Sequence, residues 1–254
     1  MLEIDHVTKS FGGLLAVDDI SFQLKDTGIT GLVGPNGSGK TTLFHLITGF
    51  YTLDRGQIYF NGKRIDGMAP HVISRMGLVR TFQQTRVLPF LSALENLMAA
   101  SPEQNGERLF SVFFQPGRVK LEERKNRDEA IQILELLKLK PFEHHLAGRL
   151  SFGQQKLLEL GRVLMAKPKM ILLDEPTAGI NPTLIRQLVD AIRELARKNI
   201  QIFLIEHNMP LVAEICQKIF VMDSGSLIFS GTPSEARQNH RVIEAYLGRE
   251  DHVA

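Results

Sequence analysis

The chain reads Ile29-Thr30-Gly31-Leu32-Val33-Gly34-Pro35-Asn36-Gly37-Ser38-Gly39-Lys40-Thr41-Thr42 close to its N-terminus. The apolar start of this stretch predicts a buried strand, and residues 42–47 have helical spacing. Between them, the pattern G-x-x-x-x-G-K-[ST] predicts a loop whose backbone N–H groups surround phosphate at a helix N-terminus. Lys40 can reach the β and γ oxygens of a nucleotide, and Thr41 offers a hydroxyl to Mg²⁺. The predicted phosphate-binding residues are Gly34, Pro35, Asn36, Gly37, Ser38, Gly39, Lys40, Thr41 and Thr42.

A second polar site is predicted where Asp174 and Glu175 follow the apolar run 170–173. Ligands of parallel sheets bind at the carboxyl ends of the strands, so we expect Asp174 at the exposed end of a buried strand. Asp174 can hold Mg²⁺ through water, which leaves Glu175 to polarise a nucleophilic water. His207 follows the apolar run 202–205 and can hydrogen-bond a γ-phosphate or the attacking water. Taken alone, the two acids also fit solvated loop residues and the histidine a structural role.

The periodicity of the remaining sequence changes twice along the chain. Residues 2–24 and 57–65 predict antiparallel strands, with turns at Gly12-Gly13 and at Asn61-Gly62. Residues 91–165 have helical spacing. After that, strands at 170–173, 201–205 and 219–222 alternate with helices at 182–198 and 210–216, which predicts a parallel sheet. A last strand at 227–230 and a helical tail at 233–247 follow.

Composition places the 254 residues among ordinary globular proteins, with 43% apolar and 23% charged residues. A net charge of +2 without any block of like charges argues against a dedicated nucleic-acid binder. The single cysteine, Cys216, excludes an internal disulfide framework and a cysteine zinc site. Charged Glu3 and Asp5 replace a signal core, and no apolar run approaches the roughly 18 residues that span a bilayer. We therefore expect a cytoplasmic chain with at most a peripheral membrane role.

The hexapeptide Leu150-Ser151-Phe152-Gly153-Gln154-Gln155 lies between the two phosphate-site motifs. Together with the loop, the Asp174-Glu175 pair and His207 in that order, it resembles the signature of the ABC-transporter ATPase family. The resemblance implies an α/β fold: a P-loop NTPase with a RecA-like mixed-sheet core, an N-terminal antiparallel β subdomain and a helical subdomain insertion. It implies one domain over residues 1–254, with the core in 1–90 and 166–254 and the helical signature subdomain in 91–165. The guanine-reading N-K-x-D pattern of GTPases is absent from the sequence.

The resemblance also implies ATP and Mg²⁺ as the bound groups, and two chains that enclose two ATP molecules head to tail. Ser151, Gly153 and Gln154 would then bind the γ-phosphate held by the loop of another subunit. Ser151 suits a helix N-cap, and Gly153 allows close backbone approach, so this helix start is a second anion site. The implied catalytic residues are Glu175, His207 and Gln83, and the implied metal ligands are Thr41, Gln83 and Asp174.

Two positions match the family pattern but also fit an ordinary structural role, and some positions depart from the pattern. Phe11 occupies the place of the aromatic residue that stacks on adenine, where tyrosine is common; such a phenylalanine also fits a core position. Gln83 beside Gln84 also fits a surface position. Phe152 stands where glycine is commonest in the signature, and Asn181 stands where aspartate is frequent, which bears on communication between the two sites.

Four segments narrow the resemblance to the ATPases of branched-chain amino acid importers, in their longer paralogue: Ser151-Phe152-Gly153-Gln154-Gln155, Arg80-Thr81-Phe82-Gln83, Ala178-Gly179-Ile180-Asn181-Pro182 and residues 242–248. Urea importers and the lipopolysaccharide-export ATPase carry similar motifs and remain alternatives. A soluble ABC ATPase acting on nucleic acid, or a small-molecule kinase, fits the motifs less well. The implied partners are a second copy or a paralogous ATPase subunit, integral-membrane transporter subunits and, indirectly, a substrate-binding protein, with no nucleic acid. The implied location is the inner face of the cell membrane.

Residues 109–114 form an apolar cluster, Leu-Phe-Ser-Val-Phe-Phe, within the predicted helical segment. Five large apolar side chains in six positions are unusual in a connection between helices. They either complete the core of this segment or, together with residues 87–91 behind Gln83, line a groove for a membrane-subunit helix. The sequence leaves both interpretations open.

Overall fold

The computed structural model describes residues 1–25, 28–81, 87–102 and 116–247, apart from the side chains of 116, 118 and 247. Gln83 and the cluster 109–114 lie outside these residues. The chain divides into two compact units. The first contains Met1–Arg80, Lys169–Pro176 and Ile192–Ala254, and the second contains Thr81–Pro168 and Thr177–Ala191.

The first unit contains two sheets, built from ten strands of the described chain. Their bounds are β1 Leu2–Phe11, β2 Leu14–Leu24, β3 Ile29–Val33, β4 Arg55–Phe60, β5 Lys63–Arg64, β6 Leu78–Arg80, β7 Met170–Asp174, β8 Gln201–Ile205, β9 Lys218–Asp223 and β10 Ser226–Gly231. The smaller sheet is antiparallel, in the order β2-β1-β4-β5. Its β4–β5 turn has positive φ at both Asn61 (49°) and Gly62 (76°), as the predicted Asn-Gly hairpin requires.

The larger sheet has the order β10-β9-β3-β8-β7-β6. Strands β9, β3, β8, β7 and β6 are parallel, which confirms the predicted parallel core, and β10 pairs antiparallel with β9 at one edge. Every residue of β3, β7 and β8 is buried. Strand β6 is not apparent from the sequence because three residues are too few to show a period. The parallel strands end at a common edge of the sheet.

Helix Lys40–Ile47 joins the two sheets of the first unit through a shared apolar core. Phe44 on this helix packs against Phe203 of β8, with ring centroids 5.1 Å apart, and the core also takes in Ile4, Ile58 and Leu172. The helix begins two residues before the predicted start at residue 42, because Lys40 and Thr41 carry no apolar periodicity. The other helices that lie wholly in this unit are Pro70–Arg75, Met209–Ile215, Pro233–Ala236 and His240–Leu247.

The second unit is helical in its described part. It contains the helices Ala93–Met98, Pro116–Leu136 and Phe152–Met165, two short 3₁₀ turns at Lys140–Phe142 and Ala147–Arg149, and the first residues of helix Pro182–Arg197. The three complete helices meet at Gly161, where a Cβ would lie 2.8 Å from Leu97 Cδ2 and 3.3 Å from Ile133 Cγ2. None of the helices in the described chain combines the length and the apolar character that a membrane span needs.

Candidate functional site

The phosphate loop is fixed by two glycines that touch neighbouring backbone. A Cβ on Gly34 would lie 2.0 Å from Met222 O of β9, and one on Gly39 would lie 2.2 Å from Ala16 O of β2. Gly37 has a φ of 78° and open space around its Cβ position, so it is required by its backbone conformation alone. The glycines of the predicted phosphate-binding pattern therefore also allow the loop to pack against both sheets.

Lys40 places its ammonium group inside the loop. The side chain is buried, and Nζ donates to Gly34 O at 3.0 Å, to Pro35 O at 2.7 Å and to Ser38 Oγ at 3.3 Å. Carbonyl oxygens are weaker partners for a cation than phosphate oxygens are. The loop thus holds a cation beside its inward-turned backbone, at the N-terminus of helix Lys40–Ile47, where a phosphate group is favoured.

A cavity of about 510 Å³ opens in front of the loop, a size that suits a nucleotide. Its lining comes from the loop and the helix start after it, the tip of the antiparallel sheet and the residues after three strands of the larger sheet: Phe11, Leu14, Leu15, Ala16, Asn36, Gly37, Gly39, Lys40, Thr41, Thr42, Glu175, His207 and Ser224. Phe11 is 41% exposed and meets Tyr51 edge-on at 5.2 Å, so it is not a core residue. Its ring stands at the mouth of the loop, where an aromatic base can stack.

Asp174 ends strand β7 but is buried, with 2% exposure, whereas the sequence predicted an exposed strand end. The reason is Arg80 at the end of the neighbouring strand β6, whose Nη2 donates to Asp174 Oδ2 at 2.6 Å. Burial raises the pKa of Asp174, and the positive charges of Arg80 and Lys40 oppose that rise. Sequence analysis missed Arg80 as a site residue; a charged side chain at the end of a short apolar stretch was the available signal.

Glu175 and His207 form a direct contact at the edge of the sheet. His207 Nε2 lies 2.7 Å from Glu175 Oε1, and Glu175 N donates to Ile205 O of β8 at 3.0 Å. Glu175 has a φ of 46°, which turns its side chain away from the path of β7. Both residues line the cavity, so a carboxylate and an imidazole face the space in front of the phosphate loop. Such a pair can polarise a water for attack on phosphorus.

The oxygen donors of the first unit suit an Mg²⁺ ion that is bound jointly by protein and nucleotide. In the part of the chain that the structure describes, they do not form a site in which protein side chains alone hold a metal. Thr41 offers a hydroxyl and Asp174 a carboxylate, both hard oxygen ligands. The described residues contain no cluster of three or more His, Cys, Asp or Glu side chains that could hold a metal ion. Mg²⁺ usually keeps water and takes substrate phosphates with one or two protein oxygens, so these residues are consistent with a metal that arrives with a nucleotide.

The signature residues Ser151, Gly153 and Gln154 lie in the second unit, at the start of helix Phe152–Met165. Ser151 and Gln154 cap the helix reciprocally: Gln154 N donates to Ser151 Oγ at 3.4 Å, and Ser151 N donates to Gln154 Oε1 at 2.9 Å. The close approach that Gly153 permits here is to side chains, because a Cβ would lie 2.5 Å from Leu184 Cδ1. Their predicted contact with a second nucleotide remains a prediction.

Tyr246 is a further residue that sequence analysis did not assign to the site. Burial raises the pKa of its hydroxyl, and a hydrogen bond from the backbone N–H of Gly34 opposes that rise. The hydroxyl also lies 3.9 Å from Met209 Sδ. The last described helix, His240–Leu247, therefore contacts the first residue of the phosphate loop.

Comparisons with known proteins agree with this geometry. The family model described as ABC transporter matches residues 17–178, and the model described as branched-chain amino acid ATP-binding cassette transporter matches residues 226–252. The chain is 39% identical to the high-affinity branched-chain amino acid transport ATP-binding protein BraF of Pseudomonas aeruginosa, over 98% of both chains. A nucleotide-free ATP-binding cassette from an ABC transporter is 36% identical, covers 98% of this chain and 99% of its own, and has a TM-score of 0.84. The ADP conformation of an ATP-binding cassette of an ABC transporter has a TM-score of 0.83, with the same identity and coverage.

The fold class that the sequence predicted is confirmed by these structures and by the two sheets of the first unit. The match extends over nearly the whole chain and includes the phosphate loop, the Asp174-Glu175 pair and the signature helix. The chain therefore belongs to the ABC transporter family, and it is an ATP-binding cassette ATPase.

Proposed function

We propose that this ATPase powers the import of branched-chain amino acids by a membrane transporter. The support is the 39% identity to the branched-chain amino acid transport ATP-binding protein BraF and the match of residues 226–252 to the branched-chain family model. Hydrolysis itself rests on one observation, the 2.7 Å contact of Glu175 with His207 in front of the phosphate loop.

Nucleotide binding uses residues of the first unit. Lys40 exchanges its loop carbonyl partners for β and γ oxygens of ATP, while the loop N–H groups and the helix N-terminus face the same phosphates. Ser38 lies in the same loop and Thr42 in the first turn of the helix that follows it, and Phe11 stacks on the adenine ring. Thr41, Asp174 and Gln83 would hold Mg²⁺, which would supply positive charge beside the β and γ oxygens.

Hydrolysis uses the carboxylate and imidazole pair. Glu175 accepts a proton from the attacking water as the new oxygen–phosphorus bond forms and the bond to the ADP oxygen breaks. His207 orients that carboxylate through its Nε2 and lines the same cavity. Lys40 stabilises the negative charge that grows on the leaving oxygens.

Two chains are needed to complete a site. In our proposal, Ser151, Gly153 and Gln154 of one chain close over the γ-phosphate held by the loop of the other. The partner is a second copy or a paralogous ATPase subunit. The dimer sits on the cytoplasmic face of the membrane against integral-membrane subunits, and a substrate-binding protein delivers the amino acid to them.

The test is transport by the assembled complex. The full chain, purified with its membrane subunits from the host and placed in proteoliposomes, should take up labelled leucine or isoleucine only when ATP, Mg²⁺ and the substrate-binding protein are all supplied. The same complex carrying Glu175→Gln should bind ATP and transport nothing. Uptake of urea, or extraction of lipopolysaccharide, in place of leucine would overturn the proposed cargo.

A further inference from the structure

The segment Ala178-Gly179-Ile180-Asn181 is tied to the start of the signature helix Phe152–Met165 within the second unit. Lys156 is 8% exposed, and its Nζ donates to Ala178 O at 2.9 Å. The same ammonium lies 5.3 Å from the centre of the Phe152 ring, within the range of a cation–π contact. One lysine therefore holds both the helix start and the segment.

Phe152 covers Gly179. Gly179 has a φ of 73°, and a Cβ built on it would lie 3.0 Å from Phe152 Cε1. The phenylalanine is 47% exposed, so its ring is not part of a core. Next to it, a Cβ on Gly153 would lie 3.0 Å from Ile180 Cγ2. The two glycines, one on each side, allow the helix start and the segment to come into contact.

The far end of the segment is also held. Asn181 Oδ1 accepts from Leu184 N at 3.0 Å, and Ile180 N donates to Thr177 O at 3.2 Å. The segment begins three positions after Glu175 in the sequence. The segment is thus held at both ends within the second unit, and Pro176 and Thr177 connect it in sequence to Glu175.

We propose that Phe152 and Lys156 are positioning residues that make the signature helix start and the segment 178–181 move as one piece. Docking of a γ-phosphate on the helix start then sets the position of the chain that follows Glu175, and the two sites of the dimer hydrolyse ATP cooperatively. The inference rests on the proposed dimer. It assigns the phenylalanine at the signature position, which replaces the commoner glycine, a role in this coupling.

The first test measures the contact without nucleotide. Hydrogen exchange of peptides covering 178–185 is compared in the full chain, in Phe152→Gly and in Lys156→Met. Loss of the ring or of the ammonium should speed exchange at the Ile180 amide about tenfold, as expected for loss of about 1.4 kcal/mol of local stability. The control, Lys125→Met, removes an exposed lysine of the same unit and should leave exchange unchanged. Unchanged exchange in both test variants would overturn the proposal.

The second test separates coupling from folding. Phe152→Gly and Lys156→Met should lower kcat about tenfold and reduce the Hill coefficient for ATP toward 1, with KM for ATP within about twofold. If the contact had only a structural role, its loss in these variants would lower the melting temperature and leave the Hill coefficient unchanged. That result would overturn the proposal. If the unaltered chain neither hydrolyses ATP nor dimerises with it, the proposed function fails instead, and the exchange result still decides the contact.

Discussion

Arg80 Nη2 lies 2.6 Å from Asp174 Oδ2, and the two side chains are 4% and 1% exposed. Arg80 ends β6 and Asp174 ends β7, so the pair joins the ends of two neighbouring strands. Arg80 also lies 5.7 Å from the centre of the Phe44 ring. The ion pair therefore fixes the predicted metal-binding carboxylate from within the core.

Removal of one partner of this pair should be costly. Arg80→Met leaves the Asp174 charge buried beside an apolar chain, so we expect a loss of about 3 kcal/mol in the free energy of unfolding and a fall of about 10 °C in melting temperature. The double variant Arg80→Met with Asp174→Asn should recover part of that loss, because no buried charge is left uncompensated. Thermal and urea unfolding measure both effects. If Arg80→Met were as stable as the unaltered chain, that result would contradict the role of the pair.

Lys40 and Glu175 should fail in different ways. Lys40→Ala removes the loop cation, so we expect the Kd for ATP to rise about 10- to 100-fold. Glu175→Gln keeps the shape of the side chain and loses the basic oxygen, so kcat should fall at least about 100-fold with the Kd nearly unchanged. Titration calorimetry and a phosphate-release assay give the two quantities. Equal losses of affinity in both variants would refute the separate roles.

His207 should affect turnover more than binding. His207→Ala removes the ring that orients Glu175, so we expect kcat to fall about 100-fold while KM for ATP stays within about threefold. His240→Ala is the matched control, since His240 lies on the surface and pairs only with Glu244 among the contacts described. Steady-state kinetics decide the point. Unchanged kcat in His207→Ala would show that the contact with Glu175 is not used.

Ser151 should matter for the dimer and not for the monomer. On a Glu175→Gln background, Ser151→Arg should leave ATP affinity nearly intact and abolish the ATP-dependent dimer, because the helix start would meet the phosphate of the partner. Ser92→Arg breaks an equivalent capping box on helix Ala93–Met98 and serves as the control for loss of a cap. Size-exclusion chromatography with multi-angle light scattering reads out both. A dimer that survives Ser151→Arg would argue against the shared site.

His45 should make the stability of the folded chain depend on pH. Burial, and after it the charge of Arg80, lowers the pKa of His45 from 6.5 to about 4. Between these values the unfolded chain binds a proton that the folded chain does not, so stability from this group is lost as pH falls from 6.5 toward 4. His45→Gln should flatten the rise of melting temperature between about pH 5 and 6.5. An identical slope in both proteins would show that His45 does not contribute.

The sequence by itself determined the features that depend on neighbouring residues. The phosphate loop could be predicted because its glycines, lysine and threonine occur at a fixed spacing between a strand and a helix. The Asn61-Gly62 hairpin could be predicted because few other dipeptides accept two positive φ values. The strands and helices from residue 170 onward could be predicted because each contains a full period of apolar residues. The role of Gln83, which lies outside the described residues, stays a prediction.

Only the tertiary structure decided which distant residues meet. Arg80 and Asp174 are 94 positions apart, and their contact depends on the pairing of β6 with β7, a strand order that periodicity does not encode. Glu175 and His207 meet because β7 and β8 are neighbours, and Phe152 meets Gly179 because a helix start and a later loop pack in one unit. Local spacing specifies what each side chain can do, whereas the burial of Asp174, and with it the direction of its pKa shift, follows from packing that the whole chain creates.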